Sequence, residues 1–158
     1  MSAIDQATYR QVLGHFPTGV TVVAGMDGDE PVGLAVGSFF SLSLEPALVG
    51  FCVDKGSTSW SRMEAGGSFC VNVLGEDQED VCRAFATSGD DKFAGIGWKA
   101  AESGSPLLDG VLAWIDCEVD AVHEGGDHHI VVGRVLGLGV GAETGPLVFF
   151  RGGYANLA

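Results

Sequence analysis

The stretch "VLAWIDCEVDAVHEGGDHHIVVGRVLGLGV", residues 111–140, decides the fold class. Two long runs rich in Val, Ile and Leu flank the polar, glycine-containing segment "HEGGDH" at 123–128. Runs of that composition around such a segment predict two long antiparallel strands joined by a turn. Asp127, His128 and His129 enter the second strand. Adjacent strand residues point to opposite faces, so the two imidazoles are not expected to share a metal ion.

The remainder of the chain supplies more strands and a few helices. Tyr9, Val12, Leu13 and Phe16 recur at helical spacing, which predicts an amphipathic helix over residues 4–15. "FPTG" breaks it, and "VTVVA" (20–24) reads as a β-branched strand. A turn at "GMDGDEP" leads into "GLAVGSFFSLSLEP" (33–46), where Ser38, Ser41 and Ser43 lie among Phe39 and Phe40. "ALVGFCV" (47–53) predicts a central strand, and "SFCVNVL" (68–74) predicts another. Ser57 or Thr58 caps a short helix over "SWSRMEA", and "EDQEDVCRAFA" (76–86) has acids in its first turn and reads as a further helix. Residues 87–106 form a long polar, glycine-rich excursion pinned by Phe93 and Trp98, and "LVFF" adds a last strand. No repeat or linker divides the chain, so one domain is expected over 1–158. The pattern is that of a mainly β protein, an antiparallel barrel with a few appended helices. No G-x-G-x-x-G joins a strand to a helix, so a dinucleotide is not expected to be held in the Rossmann manner.

Composition narrows the function classes. The formal net charge is −13, with 8 Lys and Arg against 21 Asp and Glu. That balance argues against a nucleic-acid partner and leaves few cations for any anionic cofactor. No apolar run approaches the roughly 20 residues a membrane helix needs, and the polar start "MSAIDQATYRQVL" lacks the pattern of a signal peptide. Cys52, Cys70, Cys82 and Cys117 form no C-x-x-C pair, so free thiols in the cytoplasm are expected and a metal site is not. No Ser-His-Asp or G-x-S-x-G pattern supports nucleophilic hydrolysis. In "VDKGSTSW", Lys55 and Gly56 precede Ser57, Thr58 and Ser59 beside a helix start. A cation, a close-approach glycine and hydroxyls can cradle a phosphate, although such a loop is more often an ordinary surface turn.

Eight segments taken in order resemble one family over nearly the whole chain. They are "HFPTGVTVV" (15–23), "SFFSLSLEPALV" (38–49), "CVDKGSTSW" (52–60), "FCVNVLGEDQ" (69–78), "FA" (85–86) with "DKFAGIGW" (91–98), "PLLDGVLAWIDCEV" (106–119), "GDHHIVVGRV" (126–135) and "PLVFFRGGYANL" (146–157). The chain resembles the short-chain flavin reductases with an FMN-binding split β-barrel, the reductase components of two-component flavin monooxygenases. The resemblance implies a homodimer that passes a hydride from NADH or NADPH to FMN or FAD and supplies a separate monooxygenase. It implies that Ala35, Val36, Gly37, Ser38, Phe39 and Ser41 lie against the flavin. It places Asp54, Lys55, Ser57 and Thr58 at the phosphate, Val71 and Asn72 on the floor, and Phe93 at the pocket edge. His128 would position the nicotinamide, and Tyr154 would close that end.

The family pattern at the first of these segments reads approximately T-A-N-S-F-T-S. Ala35, Gly37 and Phe40 depart from it and remove three polar side chains. Each lost hydrogen bond costs about 0.5–1.5 kcal/mol of flavin affinity if nothing compensates, which favours loosely held flavin. A flavin carrier of the same fold without reductase activity is the alternative reading.

Overall fold

Three helices and twelve strands occur among the described residues, 3–89 and 91–157 of the computed structural model. In chain order, α1 (Gln6–Leu13) leads through β1 (Thr18–Gly19) into the hairpin of β2 (Thr21–Asp27) and β3 (Glu30–Val36). Then come β4 (Phe40–Ser43), β5 (Leu48–Asp54), α2 (Thr58–Glu64), β6 (Ser68–Val73) and α3 (Glu79–Ala86). A small hairpin of β7 (Trp98–Ala100) and β8 (Pro106–Leu108) precedes the long hairpin of β9 (Ala113–Gly125) and β10 (His128–Val140). Strands β11 (Val148–Phe150) and β12 (Gly153–Ala155) complete the order.

The main sheet has seven strands in the order β3-β2-β6-β9-β10-β5-β4, and each neighbouring pair is antiparallel. Its two edge strands, β3 and β4, are consecutive in the chain and separated only by Gly37–Phe39. A link of that length spans at most about 14 Å. Six flat inter-strand gaps would separate the edges by about 29 Å. The sheet must therefore curl until its edges nearly meet. No ladder pairs β3 with β4, so the curl is not closed. The Ser38 hydroxyl in the link donates to Cys52 O (3.0 Å) and accepts from Cys52 N (2.9 Å), standing in for a strand partner of β5.

Bends are built into the long hairpin. Register shifts fall between Val132 and Gly133 and between Val135 and Gly137, and such bulges bend and twist a strand. Its ladder runs to Gly125 and His128, so the turn is Gly126-Asp127 alone, tighter than the expected 123–128. Gly126 supplies the positive φ (72°) that a two-residue hairpin needs at its first central position.

Two apolar clusters lie on either side of the sheet. Val23, Phe51, Phe69, Val71 and Val131 form one, with Trp60 and Met63 of α2 packed into it. Phe51 meets Trp60 and Phe69 edge to face at 5.7 and 5.1 Å. Val22, Ala24 and Leu74 form the other with Cys82 and Phe85 of α3 and Leu108 of β8. Strand β2 serves both, so its residues 21–25 are buried without alternation.

Several elements differ from the sequence-based expectation. "ALVGFCV" becomes β5, one strand in from the edge, because β4 covers its outer side. The expected 76–86 helix starts at Glu79, since Gln78 Oε1 accepts from Gly75 N (2.9 Å) in a preceding turn. Thr18–Gly19, read only as a helix break, pairs with β11, which pairs in turn with β12 in a separate three-stranded sheet. The α1 helix forms with Asp5 as its N-cap, but none of its residues is buried. Its apolar residues stay outside both clusters, because nothing among the described residues of the chain covers them.

Two predictions follow from this packing. A Cβ at Gly133 would sit 2.5 Å from Phe69 Cζ and 3.1 Å from Cys117 Cβ. Gly133→Ala should lower the unfolding free energy by about 1–3 kcal/mol in urea titrations, through overpacking. Burial also pushes the Cys70 and Cys117 thiols from the ordinary 9.0 up to about 12. The folded chain keeps protons that the unfolded chain releases, so this contribution is intact below pH 9.0 and lost as pH rises toward about 12. The urea midpoint should fall across that window, and less steeply in Cys70→Ala.

Candidate functional site

The incomplete curl leaves a cleft of about 1310 Å³ beside the link between β3 and β4. Strand β3 and the link contribute Ala35, Val36, Gly37 and Ser38 to one wall. The end of β5 and the following loop contribute Cys52, Asp54, Gly56, Ser57, Thr58 and Ser59. The tip of the β9–β10 hairpin brings Asp127 and His128, and α1 brings Gln6, Tyr9 and Arg10. The C-terminal end of α3 and the start of the excursion complete the lining with Phe85, Thr87, Ser88 and Lys92.

Backbone geometry organises the hydroxyl loop. Asp54 Oδ1 accepts from Gly56 N (2.6 Å), and Asp54 O accepts from Ser57 N (3.0 Å). Ser57 Oγ accepts from Trp60 N (3.1 Å) as the N-cap of α2. Its own proton remains available for a ligand. Lys55 N donates to Asp127 O (3.0 Å), which ties this loop to the hairpin tip. The Lys55 ammonium is paired with Glu124 and does not line the cleft. His128 Nδ1 lies 2.7 Å from Asp127 Oδ1. That hydrogen bond, with the adjacent imidazole charge, holds the Asp127 carboxyl below the usual range. His129, next along β10, does not line the cleft.

Lys92 was not singled out from the sequence, although it sits in the "DKF" of the excursion. Its ammonium donates to Gly33 O (3.3 Å), Ser59 Oγ (3.2 Å) and Phe85 O (3.4 Å). Burial lowers its pKa from the ordinary amine value. These bonds pin the excursion against β3, α2 and α3. Gln6, Tyr9 and Arg10 were also missed, because a helix with an apolar stripe reads as a packing element.

Several expected site residues lie elsewhere. Val71 and Asn72 are fully buried in β6 and do not reach the cleft as a floor. Val71 belongs to the first cluster. Asn72 faces the other way, where Nδ2 lies 3.2–3.3 Å from Val22 O, Cys70 O and Pro106 O, and Oδ1 accepts from Leu108 N (2.8 Å). Its polar groups are spent in joining β8 to the sheet. Phe39 packs on the first cluster, and Ser41 pairs with Val49 in the β4–β5 ladder. Phe93 packs edge to face on Phe85 at 4.8 Å. Tyr154 lies in the small sheet, with its hydroxyl 3.2 Å from Cys82 Sγ and the Arg83 guanidinium 4.8 Å from its ring centroid. The Cys82 hydrogen bond, together with burial, pushes its phenol up to about 12.

The lining contains small residues, hydroxyls, one imidazole and few charges. Among the described residues no group of three or more His, Cys, Asp or Glu is placed to hold a metal ion, and no helix is long and apolar enough to cross a membrane. Such a cleft suits a large polar aromatic ligand with a phosphate better than it suits acid–base hydrolysis.

Comparison with known proteins identifies the class. Residues 13–158 match the flavin reductase like domain family, and the chain belongs to that family. It is 51% identical over 158 residues to a flavin reductase of Pseudomonas putida, covering 99% of this chain and 93% of that one. It is 52% identical over 160 residues to the reductase subunit of a flavin-dependent monooxygenase from Mycobacterium tuberculosis, covering 99% and 86%. A Streptomyces globisporus NADH:FAD oxidoreductase, solved in complex with NAD and FAD fragments, superposes with a TM-score of 0.92 at 37% identity, covering 100% and 98%.

Asn72 gives a test of its placement. Asn72→Leu should lower stability by about 2–4 kcal/mol, because it strands buried backbone groups. Flavin affinity of the folded variant should change by less than about twofold. A larger loss of affinity at preserved stability would return Asn72 to the site.

Proposed function

We propose that the chain is an NAD(P)H-dependent flavin reductase, that the cleft beside residues 35–38 is its active site, and that it supplies reduced flavin to a partner monooxygenase. The observation that carries this reading is the convergence of Gly37–Ser38, the Asp54–Ser59 loop and His128 on one cleft from three separate parts of the chain. When bound, FMN or FAD accepts a hydride from NADH or NADPH, chemistry that depends on the distance and orientation of two rings. Ala35, Val36 and Gly37 offer a low wall on which a planar ring system can lie, and Ser38 keeps that wall attached to β5. Ser57 and Thr58 offer hydroxyls to a phosphate, and Asp54 shapes the loop that presents them. His128, braced by Asp127, orients the nicotinamide. Phe39, Ser41, Lys55, Phe93 and Tyr154 support these segments from behind.

Finer features belong to the same reading. The curled, unclosed sheet is read as a split β-barrel forming one domain. A homodimer is favoured by the exposed apolar residues Val12, Leu13 and Phe16 on and just after α1, together with Leu138 and Val140 on β10. Exposed apolar surface of that extent marks an interaction site. Four free cysteines agree with a cytoplasmic protein.

The direct test is NADH and NADPH oxidation with FMN, FAD or riboflavin added. Turnover should depend on added flavin, and oxidation indifferent to every flavin would rule the reading out. His128→Ala should lower kcat/KM for the nicotinamide by about 10–100-fold through misplacement of its ring. Flavin Kd should change by less than about threefold.

A further inference from the structure

A phosphate-bearing ligand in this cleft meets an unfavourable background. The chain carries a net charge of −13, and Asp54 and Asp127 both line the cleft. The 8 Lys and Arg residues can be sorted by what they already hold. Lys55, Arg62, Arg83 and Arg134 are paired with Glu124, Asp27 and Glu30, Glu79, and Asp120. Lys92 lines the cleft, but an ammonium has three N–H donors, and three acceptors already surround it. Arg10, Lys99 and Arg151 have no side-chain hydrogen bond or ion pair among the described residues. Arg151 lies over the Phe150 ring (5.6 Å), and Lys99 lines a separate pocket of about 310 Å³. Arg10 alone of these three lines the main cleft.

Its helix is built to present it there. Gln6, Tyr9 and Arg10 all line the cleft, and their i, i+3, i+4 spacing puts them on one face of α1. Asp5 caps the helix start through Thr8, and Gly14 O accepts from Arg151 N (2.8 Å) just past its end. A guanidinium with unused donors in a planar fork matches a phosphate in two parallel bonds.

We propose that Arg10 is the specificity residue that reads the flavin phosphate, so that the cleft selects FMN and FAD over riboflavin. This assignment rests on the flavin-reductase reading of the cleft. The hydroxyls of Ser57 and Thr58 supply neutral donors on the β5 side, and Arg10 supplies the charge from α1. Riboflavin carries the same ring and ribityl chain without the phosphate, so it isolates the phosphate contacts, and the Arg10 variant isolates the share of Arg10 in them.

The experiment is equilibrium titration of the purified, flavin-free protein with FMN and with riboflavin, read by flavin fluorescence at low and high salt. FMN should bind the wild-type protein about tenfold or more tighter than riboflavin, and salt should erode that advantage. Arg10→Ala should weaken FMN by about tenfold while riboflavin moves by less than about twofold. Equal wild-type affinities for the two ligands would overturn the assignment. So would an Arg10→Ala variant that keeps FMN affinity or loses both ligands alike. The wild-type comparison needs no variant, so equal affinities there overturn the assignment even if Arg10→Ala folds poorly. Binding is read apart from turnover. A protein that grips FMN through Arg10 yet reduces no flavin would sink the reductase reading and leave this assignment standing.

Discussion

Three residues, Gly37–Phe39, join the two edges of a seven-stranded sheet, and the rest of the architecture answers to that short link. The link reaches less than half the width of the flat sheet, so curvature is imposed by covalent connectivity. Bulges at Asp120 in β9 and Leu136 in β10 provide the bending, and Gly133 provides the space for Phe69 at the bend. Closure stops short, because β3 and β4 share no ladder. Ser38 fills part of that gap by taking both a donor and an acceptor role toward the backbone of Cys52. Unpaired strand edges are a liability, and here the space beside them becomes the cleft.

The two apolar clusters explain why the cleft can be polar at little cost to stability. Packing of the chain rests on the buried Phe, Val and Met side chains on either side of β2 and β6, with α2 and α3 as covers. The cleft walls come from the ends of these elements and from the loops beyond them. Hydroxyls there are shared between structure and ligand: Ser57 caps α2, Ser59 accepts from Lys92, and Ser38 clamps the link. Positive charge reaches the cleft from outside the sheet, through Lys92 on the excursion and Arg10 on α1. The sheet itself contributes Asp54, His128 and small or apolar residues.

Much of this was legible in the residues. Strand composition around 111–140 marked the long hairpin, and a hydroxyl cap at Ser57 or Thr58 marked α2, with the structure choosing Ser57. Collinear segments marked the family and drew attention to residues 35–38, to Asp54, Ser57 and Thr58, and to His128, all of which line the cleft, and to Lys55, which does not. Asn72 was misplaced because a polar residue in an apolar strand looks the same in sequence whether it faces a ligand or a neighbouring backbone. Its carbonyl partners come from β2 and β8, contacts that no local pattern encodes. Tyr154 was misplaced for a similar reason, since its partner Cys82 lies 72 positions away. Arg10 and Lys92 could not be told apart from the other six cations, because nothing in a sequence says which cations are already paired.

The sequence by itself determined the mainly β class, the presence of the helices, the hairpins and the family, because these rest on local backbone preference and on motifs in fixed order. Tertiary structure decided which strands became edges, where the sheet failed to close, and which side chains face the opening. Those outcomes depend on contacts between residues far apart in the chain. Ion pairing removed four of the eight cations from reach, burial turned Val71 and Asn72 away, and the fold left Arg10 in the cleft without an ion pair among the described residues.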